Sequence, residues 1–307
     1  MIYVGIDLGG TNIAAGLVDE SGKLVCKKSI PTGAHRSAEE IIKDMASIAL
    51  DIVNENGYTL QDVKSIGIGC PGSVDKKEGV LIYANNLPFS NTNIRSEIQK
   101  YIDKPVFLEN DANCAALAEA KSGAAKGTKN SVTVTLGTGV GGGVVINGAV
   151  LNGELGHMVI KADGEPCTCG RKGCWEVYAS ATALVRQTKQ AAEKDKSSKL
   201  WEYRNKDGKF NGVTAFNAAK AGDKTAQQVV DNYVKYIGIG VANIINIFQP
   251  EVIVIGGGIS NQGESLLEPV REYIKGKTYN TGTNSWRIEK AILGNDAGII
   301  GAALLKG

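Results

Sequence analysis

Two stretches, Val4-Gly-Ile-Asp-Leu-Gly-Gly-Thr11 and Val132-Thr-Val-Thr-Leu-Gly-Thr-Gly139, repeat one pattern 128 residues apart. Each reads as an alternating apolar strand that runs into a glycine turn. The likeness continues past the turns, where Leu17-Val18-Asp19 lies over Val145-Ile146-Asn147. Two β-hairpins can look alike by chance, but this pair reads better as two domains built on one plan. In the first copy a polar turn, Asp19 to Gly22, leads to a third strand from Leu24 to Ile30. Ala38 to Asn56 then spaces its apolar residues as a helix does, with Ser37 as N-cap and Gly57 just past the end. Val63 to Cys70 and Val106 to Glu109 read as strands, and Ala112 to Ser122 as a helix. A helical region covers about Ser180 to Phe248, in which the polar stretch Glu193 to Asn211 reads as a surface excursion. Glu251 to Ile255 reads as a strand opening into Gly256-Gly257-Gly258, and a small apolar helix runs from about Asp296 to Leu305. Alternating strands and helices make the fold class α/β. The expected domains are 1–110, with the C-terminal helix 296–307 packing back on it, and 111–295.

Composition narrows the function. The chain of 307 residues carries 34 Lys and Arg against 32 Asp and Glu, a net charge of +2 with no basic block. Charge therefore offers no support for a nucleic acid or membrane partner. The chain opens directly on a strand at Met1 to Asp7, so we expect no secretory leader and no preceding DNA-binding segment. Cys26, Cys70 and Cys114 are scattered in apolar contexts and read as reduced core thiols. Metal-type cysteine spacing elsewhere, without a leader, points to the cytoplasm.

The segment from Glu154 to Glu176 holds His157, Cys167, Cys169 and Cys174, with glycines at 164, 170 and 173. Four such ligands on a short flexible loop suit tetrahedral zinc. A disulfide is the alternative, although a Cys-x-Cys pair rarely bridges itself and the histidine would then be unexplained. The bland role of such a zinc is to staple a loop.

The glycine turns are candidate phosphate cradles. Gly9, Gly10, Thr11 and Asn12 form the first, and Gly137, Thr138 and Gly139 the second. Lacking Cβ atoms, their amides can approach an anion, and the threonines add hydroxyl donors. Residues 137–142 fit G-x-G-x-x-G formally, but that dinucleotide motif must open a helix and here it opens a strand. Plain structural hairpins are the alternative. Gly256 to Gly258 suits close approach to a nucleotide. Asp7 precedes the first turn, where a Mg²⁺–phosphate complex would lie, or serves only to form the turn. Asp111 stands at a strand–helix junction as either an N-cap or a general base that takes a hydroxyl proton. With Asn86, Asn110, Glu154 and Glu176 it makes a set of carboxylates and amides suited to a polyhydroxylated ligand.

Together these motifs resemble the ROK family over nearly the whole chain. The resemblance rests on Gly5 to Asn12, Gly69 to Gly72 with Asp75, Glu109 to Asn113, Leu136 to Gly143, the zinc segment, Ala242 to Asn246 with Pro250, Val254 to Gly257, and Gly294 to Gly298, all in order. It implies an actin-like, ribonuclease-H-like fold of two domains that close on a sugar and a nucleotide, the second carrying the zinc loop 157–174. It implies ATP-dependent hexose phosphorylation with Mg²⁺ and a structural Zn²⁺. The pattern is most similar to the glucokinase type of Gram-positive bacteria, which implies transfer to the 6-hydroxyl of glucose. N-acetylmannosamine, N-acetylglucosamine, fructose, mannose and allose are the alternative sugars, and a non-catalytic sugar-binding regulator is the remote alternative. By the resemblance Asp111 is the catalytic base. Asn86, Asn110, Glu154, His157 and Glu176 bind sugar, and His157 also binds zinc through its other ring nitrogen. The turns take the phosphates, Gly257 lies near the adenosine, and homodimers or homotetramers are expected. Two departures concern the substrate. Only residues 147–153 separate the second hairpin from the E-x-G-H motif, and Phe89 stands where glucokinases often place tryptophan.

Overall fold

A computed structural model describes residues 1–84, 86–279 and 286–305. β1 (Ile2–Leu8), β2 (Asn12–Asp19) and β3 (Leu24–Pro31) form a meander, followed by α1 (Ala38–Glu55) and β4 (Val63–Cys70). A small antiparallel sheet of β5 (Ser73–Asp75), β6 (Val80–Tyr83) and β7 (Ser90–Thr92) precedes α2 (Ile94–Gln99), β8 (Val106–Asn110) and α3 (Asp111–Ser122). The second half begins with β9 (Ser131–Leu136), β10 (Val140–Ile146) and the short β11 (Ala149–Leu151). α4 (Glu176–Ala179), α5 (Ala181–Lys194), α6 (Thr214–Lys220) and the 25-residue α7 (Lys224–Phe248) follow. β12 (Val252–Gly256), α8 (Glu264–Ile274), β13 (Arg287–Lys290) and α9 (Ala297–Ala303) complete the chain.

These elements make two compact units. The first holds Met1–Gly127, Gly148–Leu151 and the segment from Leu293 on, and the second holds Thr128–Asn147 and Asn152–Ile292. The sequence reading puts the boundary at 110/111. Residues 111–127 fall in the first unit because α3 packs on α9, both of which belong to it.

The first unit's large sheet has the order β3-β2-β1-β4-β8. β1 runs antiparallel to β2 and parallel to β4, and β4 runs parallel to β8. In the second unit β9 runs antiparallel to β10 and parallel to β12, which runs parallel to β13. One plan is thus used twice, the meander-then-parallel arrangement of an actin-like ATPase. The repeat shifts at its turn. Leu8 pairs with Ile13 and Leu136 with Val140, so the first turn has four residues and the second three. Beyond the turn the matching offset is therefore 127. Ile13, Ala15 and Leu17 then match Val140, Gly142 and Val144, all buried. The 128-residue offset read for Leu17 to Asp19 is corrected by one residue, because a one-residue slip would turn every side chain to the wrong face.

Ser37 caps α1 with a full capping box to Glu40. Ile41, Met45, Ile48 and Ile52 bury its inner face. Phe89 is 2% exposed in the same core cluster, so it is a packing residue of the first unit. α9 is built from small residues because it lies directly on the sheet and on α3. A Cβ on Gly67 would collide with the Ala302 carbonyl, and one on Gly301 with the Cys114 carbonyl. Residues 193–211 are less peripheral than their polarity implies. Leu200 is fully buried there, and the Trp201 indole donates to the Ala192 carbonyl at 3.1 Å. In the short segment before Glu154, Asn147 and Gly148 both take left-handed backbone, φ 51° and 78°, and turn the chain sharply into β11. Among the described residues no helix is long and apolar enough to cross a membrane.

Candidate active site and zinc-type cluster

In the first unit the glycine turn is fixed from below. Buried Thr32 donates its hydroxyl to the Gly9 carbonyl at 2.6 Å and its amide to the Thr11 carbonyl at 2.9 Å. The Gly9 amide closes the turn on the Asn12 carbonyl at 3.0 Å. Gly10 and Thr11 stay exposed at the tip. A polar residue at the end of a strand gives no signal of such a role, and sequence reasoning missed Thr32.

Asp7 ends β1 beneath this turn. Burial, and then the nearby charge of Asp111, push its carboxyl from the usual 3.8 up to about 6. A half-buried carboxylate facing the charge of an exposed one is a donor set that a divalent cation would relieve. The rise corresponds to about 3 kcal/mol against the folded state wherever both folded and unfolded forms are ionised. Well below the unfolded value of 3.8 both forms are protonated and no penalty exists. As pH rises from 4 to 6 the unfolded carboxyl ionises first, so stability falls, and above 6 the full penalty stands. Asp7→Asn is therefore expected to raise the thermal midpoint of the nucleotide-free protein by several degrees at pH 8, with the gain shrinking towards pH 4. Thermal unfolding at both pH values checks this, and an unchanged midpoint at pH 8 contradicts it.

At the same edge of the first sheet, two strands away on β8, Asn110 rather than Asp111 is the N-cap of α3. Its Oδ1 accepts from the amides of Ala112 and Asn113 at 2.9 and 3.2 Å, and its Nδ2 donates to the Gly72 carbonyl at 3.1 Å. Asp111 is the first helical residue, exposed, with its Oδ1 accepting from the Ala112 amide at 2.8 Å. Beneath them lies Glu109, 3% exposed, which sequence reasoning treated only as part of a motif. Its carboxylate pairs with Lys76 and accepts from the Asn110 amide at 2.8 Å and the Asn113 side chain at 2.9 Å. This buried charge satisfies its lone pairs locally and fixes the bend that presents Asp111. Asn86 is exposed on the turn after β6.

In the second unit the four expected metal ligands converge. The ligand atoms of His157, Cys167, Cys169 and Cys174 all lie within 4.8 Å of one another. Nδ1 of His157 is 3.7 Å from the Cys167 sulfur, and the Cys169 and Cys174 sulfurs are 3.6 Å apart. Zinc held at about 2.3 Å by sulfur and 2.0–2.1 Å by nitrogen places its ligands roughly 3.5–3.8 Å apart in a tetrahedron. The cluster fits that ion, and all three cysteines are free. The amide and guanidinium of Arg171 hold the Cys169 thiol down to about 6. Gly170 and Gly173 take left-handed φ of 84° and 77°. Gly164 does not, and its lack of a side chain instead makes room for the Tyr178 hydroxyl. That hydroxyl accepts from the Glu165 amide at 2.7 Å. Trp175, fully buried, anchors the loop by donating to the Tyr236 carbonyl at 2.8 Å, and its ring occupies the space left by Gly240.

The second glycine turn carries a carboxylate. Glu176 Oε2 accepts from the Val140 amide at 3.0 Å, and a Cβ on Gly139 would collide with it. The Gly137 amide is also engaged, with the Gly139 carbonyl at 3.0 Å, and the turn is tied to α5 by Ala181 and Thr182 at 2.8 Å. The expected cradle is thus partly filled from within. Thr138 is left exposed at its tip. Glu154 is exposed, and its carboxylate has no partner among the described residues. Gly257 has φ 80° and lies against the backbone of Leu136, so no other residue fits there.

The comparisons agree with this architecture. A model of the ROK family matches residues 3–306. A glucokinase of Thermotoga maritima is 38% identical over 307 residues, covering 98% of this chain and 95% of its own. The structure of a ROK family glucokinase from Streptomyces griseus in complex with glucose and AMPPNP is 34% identical, with a TM-score of 0.80 over 99% of this chain and 98% of that one. That of a ROK hexokinase from Thermus thermophilus is 36% identical, with a TM-score of 0.84 over 99% and 97%. With the doubled sheet plan and the converging ligand cluster, these matches make the chain a member of the ROK family.

Proposed function

We infer that this protein is an ATP-dependent hexose kinase that transfers the γ-phosphoryl group to the 6-hydroxyl of glucose. The observation that carries the reading is near-complete, collinear similarity to glucokinases, one of them solved with glucose and an ATP analogue. Asp111 is the proposed base. Asn110, not Asp111, caps the helix, and Asp111 takes the proton of the attacking hydroxyl. Sugar hydroxyls are assigned to Asn86 and to the second N–H of the Asn110 amide on the first unit, and to Glu154, His157 and Glu176 on the second. With Nδ1 of His157 turned to the sulfurs, Nε2 is the nitrogen left for sugar. The phosphates are assigned to the tips at Gly9, Gly10, Thr11 and Asn12 and at Gly137, Thr138 and Gly139, and the adenosine to Gly257. Asp7 would hold Mg²⁺, which neutralises charge on the transferred group when bound. Zn²⁺ would be structural and would fix the segment between Glu154 and Glu176. The reduced cysteines suit the cytoplasm, and a homodimer or homotetramer is the assembly proposed with the family.

Incubation with MgATP and glucose should give glucose 6-phosphate by ³¹P NMR, with no turnover of 6-deoxyglucose. Phosphorylation of 6-deoxyglucose would overturn the assignment of the 6-hydroxyl.

A further inference from the structure

A groove in the second unit takes no part in the chemistry assigned above. α5 presents Gln190 and Lys194, and α7 presents Lys224, Gln228 and Asn232, at the spacing of single helical faces. Between them lies a cavity of about 670 Å³. That is the size of a small-molecule site, here a groove open to solvent.

The donors there are uncommitted. Gln190, Lys194, Lys224, Gln228 and Asn232 have no side-chain partner among the described residues. Asp195, at the lysine end, is already committed. Its Oδ1 accepts from the Ser197 amide and hydroxyl at 3.0 and 2.7 Å, and its Oδ2 from Thr225 at 2.6 Å. No carboxylate therefore pairs with either lysine. At the other end Tyr236 lies half-buried against Tyr178, ring centroids 4.8 Å apart. Gln187 and Arg186 tie α5 to the carbonyls of Tyr178 and Val177, at 2.9 and 2.6 Å. The groove thus offers two uncommitted lysines, three uncommitted amides and a tyrosine ring, with the exposed Glu165 on the same wall as a carboxylate without a partner among the described residues. Cations suit a phosphate, amides suit vicinal hydroxyls, and a tyrosine ring suits the C–H face of a pyranose.

We propose that this groove is a second ligand site, for a hexose monophosphate. Lys194 and Lys224 bind the phosphate, the amides of Gln190, Gln228 and Asn232 bind the hydroxyls, and Tyr236 packs on the ring. The choice of hexose phosphate rests on the kinase reading, since that is its product. The groove adjoins one proposed sugar residue along the chain. Tyr178 and Glu176 share the single-turn helix α4, so a ligand seated against Tyr236 and Tyr178 loads the helix that carries Glu176.

The test is equilibrium dialysis of labelled glucose 6-phosphate against the whole protein, with saturating glucose and AMPPNP to occupy the kinase site. About one equivalent should bind. Lys194→Glu with Lys224→Glu should weaken it at least tenfold, while turnover measured without added product stays unchanged. No binding to the parent protein overturns the proposal. So does equal binding by parent and variant, or tighter binding of inorganic phosphate or AMP than of glucose 6-phosphate. Binding is read without catalysis, so failure of the kinase reading would appear separately, as absent turnover with glucose.

Discussion

Asp111→Asn is expected to lower kcat by about 10²–10⁴-fold, roughly 3–5 kcal/mol of transition-state stabilisation, with little change in sugar affinity. The helix cap does not rest on the carboxylate. Asn110 caps α3, and an amide oxygen at position 111 can still accept from the Ala112 amide. Glu109, Lys76 and Asn113 keep the strand–helix bend in place beneath it. What the substitution removes is the ability to take a proton. Steady-state kinetics with glucose, and binding of glucose in the absence of nucleotide, separate the two effects. A variant with near-normal turnover contradicts the role of Asp111.

Cys169→Ser is expected to release the zinc and reduce activity below about one hundredth, although residue 169 is exposed and meets an assigned sugar residue, His157, only within the ligand cluster. Structural zinc contributes up to roughly 10–16 kcal/mol in small zinc domains. Here the ion would tie His157 to three sulfurs, with Glu154 three residues before the histidine and Glu176 two residues after Cys174. Without it the segment keeps buried anchors only near its ends, among them Leu155 and Trp175, and the stretch between them loses its tie. The loss should be larger in kcat/KM than in thermal midpoint, because the core of the second unit does not include the loop's exposed residues. Metal content by atomic emission and kinetics on the same sample check this. Full activity in a zinc-free variant contradicts it.

Much of this was legible in the sequence for identifiable reasons. β1 and β9 stand out because alternating apolar residues end in glycines, and the ligand cluster stands out because zinc needs few residue types at short spacing. The one-residue slip in the repeat was hidden, since a turn's length is not readable from apolar identity alone. Asp111 and Asn110 are both good caps by residue type, and only the geometry of α3 assigns the duty to Asn110. Thr32, Lys76 and Gly240 act through partners far along the chain, on Gly9, Glu109 and Trp175. No local pattern marks such pairs. Leu200 and Trp201 were masked by the polar residues around them.

ADP release with MgATP over a panel of free hexoses and N-acetylhexosamines, with zinc determined on the same sample, decides whether the protein is a glucose kinase. Glucose should give the highest kcat/KM, with about one zinc per chain. A folded, zinc-loaded protein that turns over no sugar, or prefers another sugar to glucose by tenfold or more, would contradict this expectation.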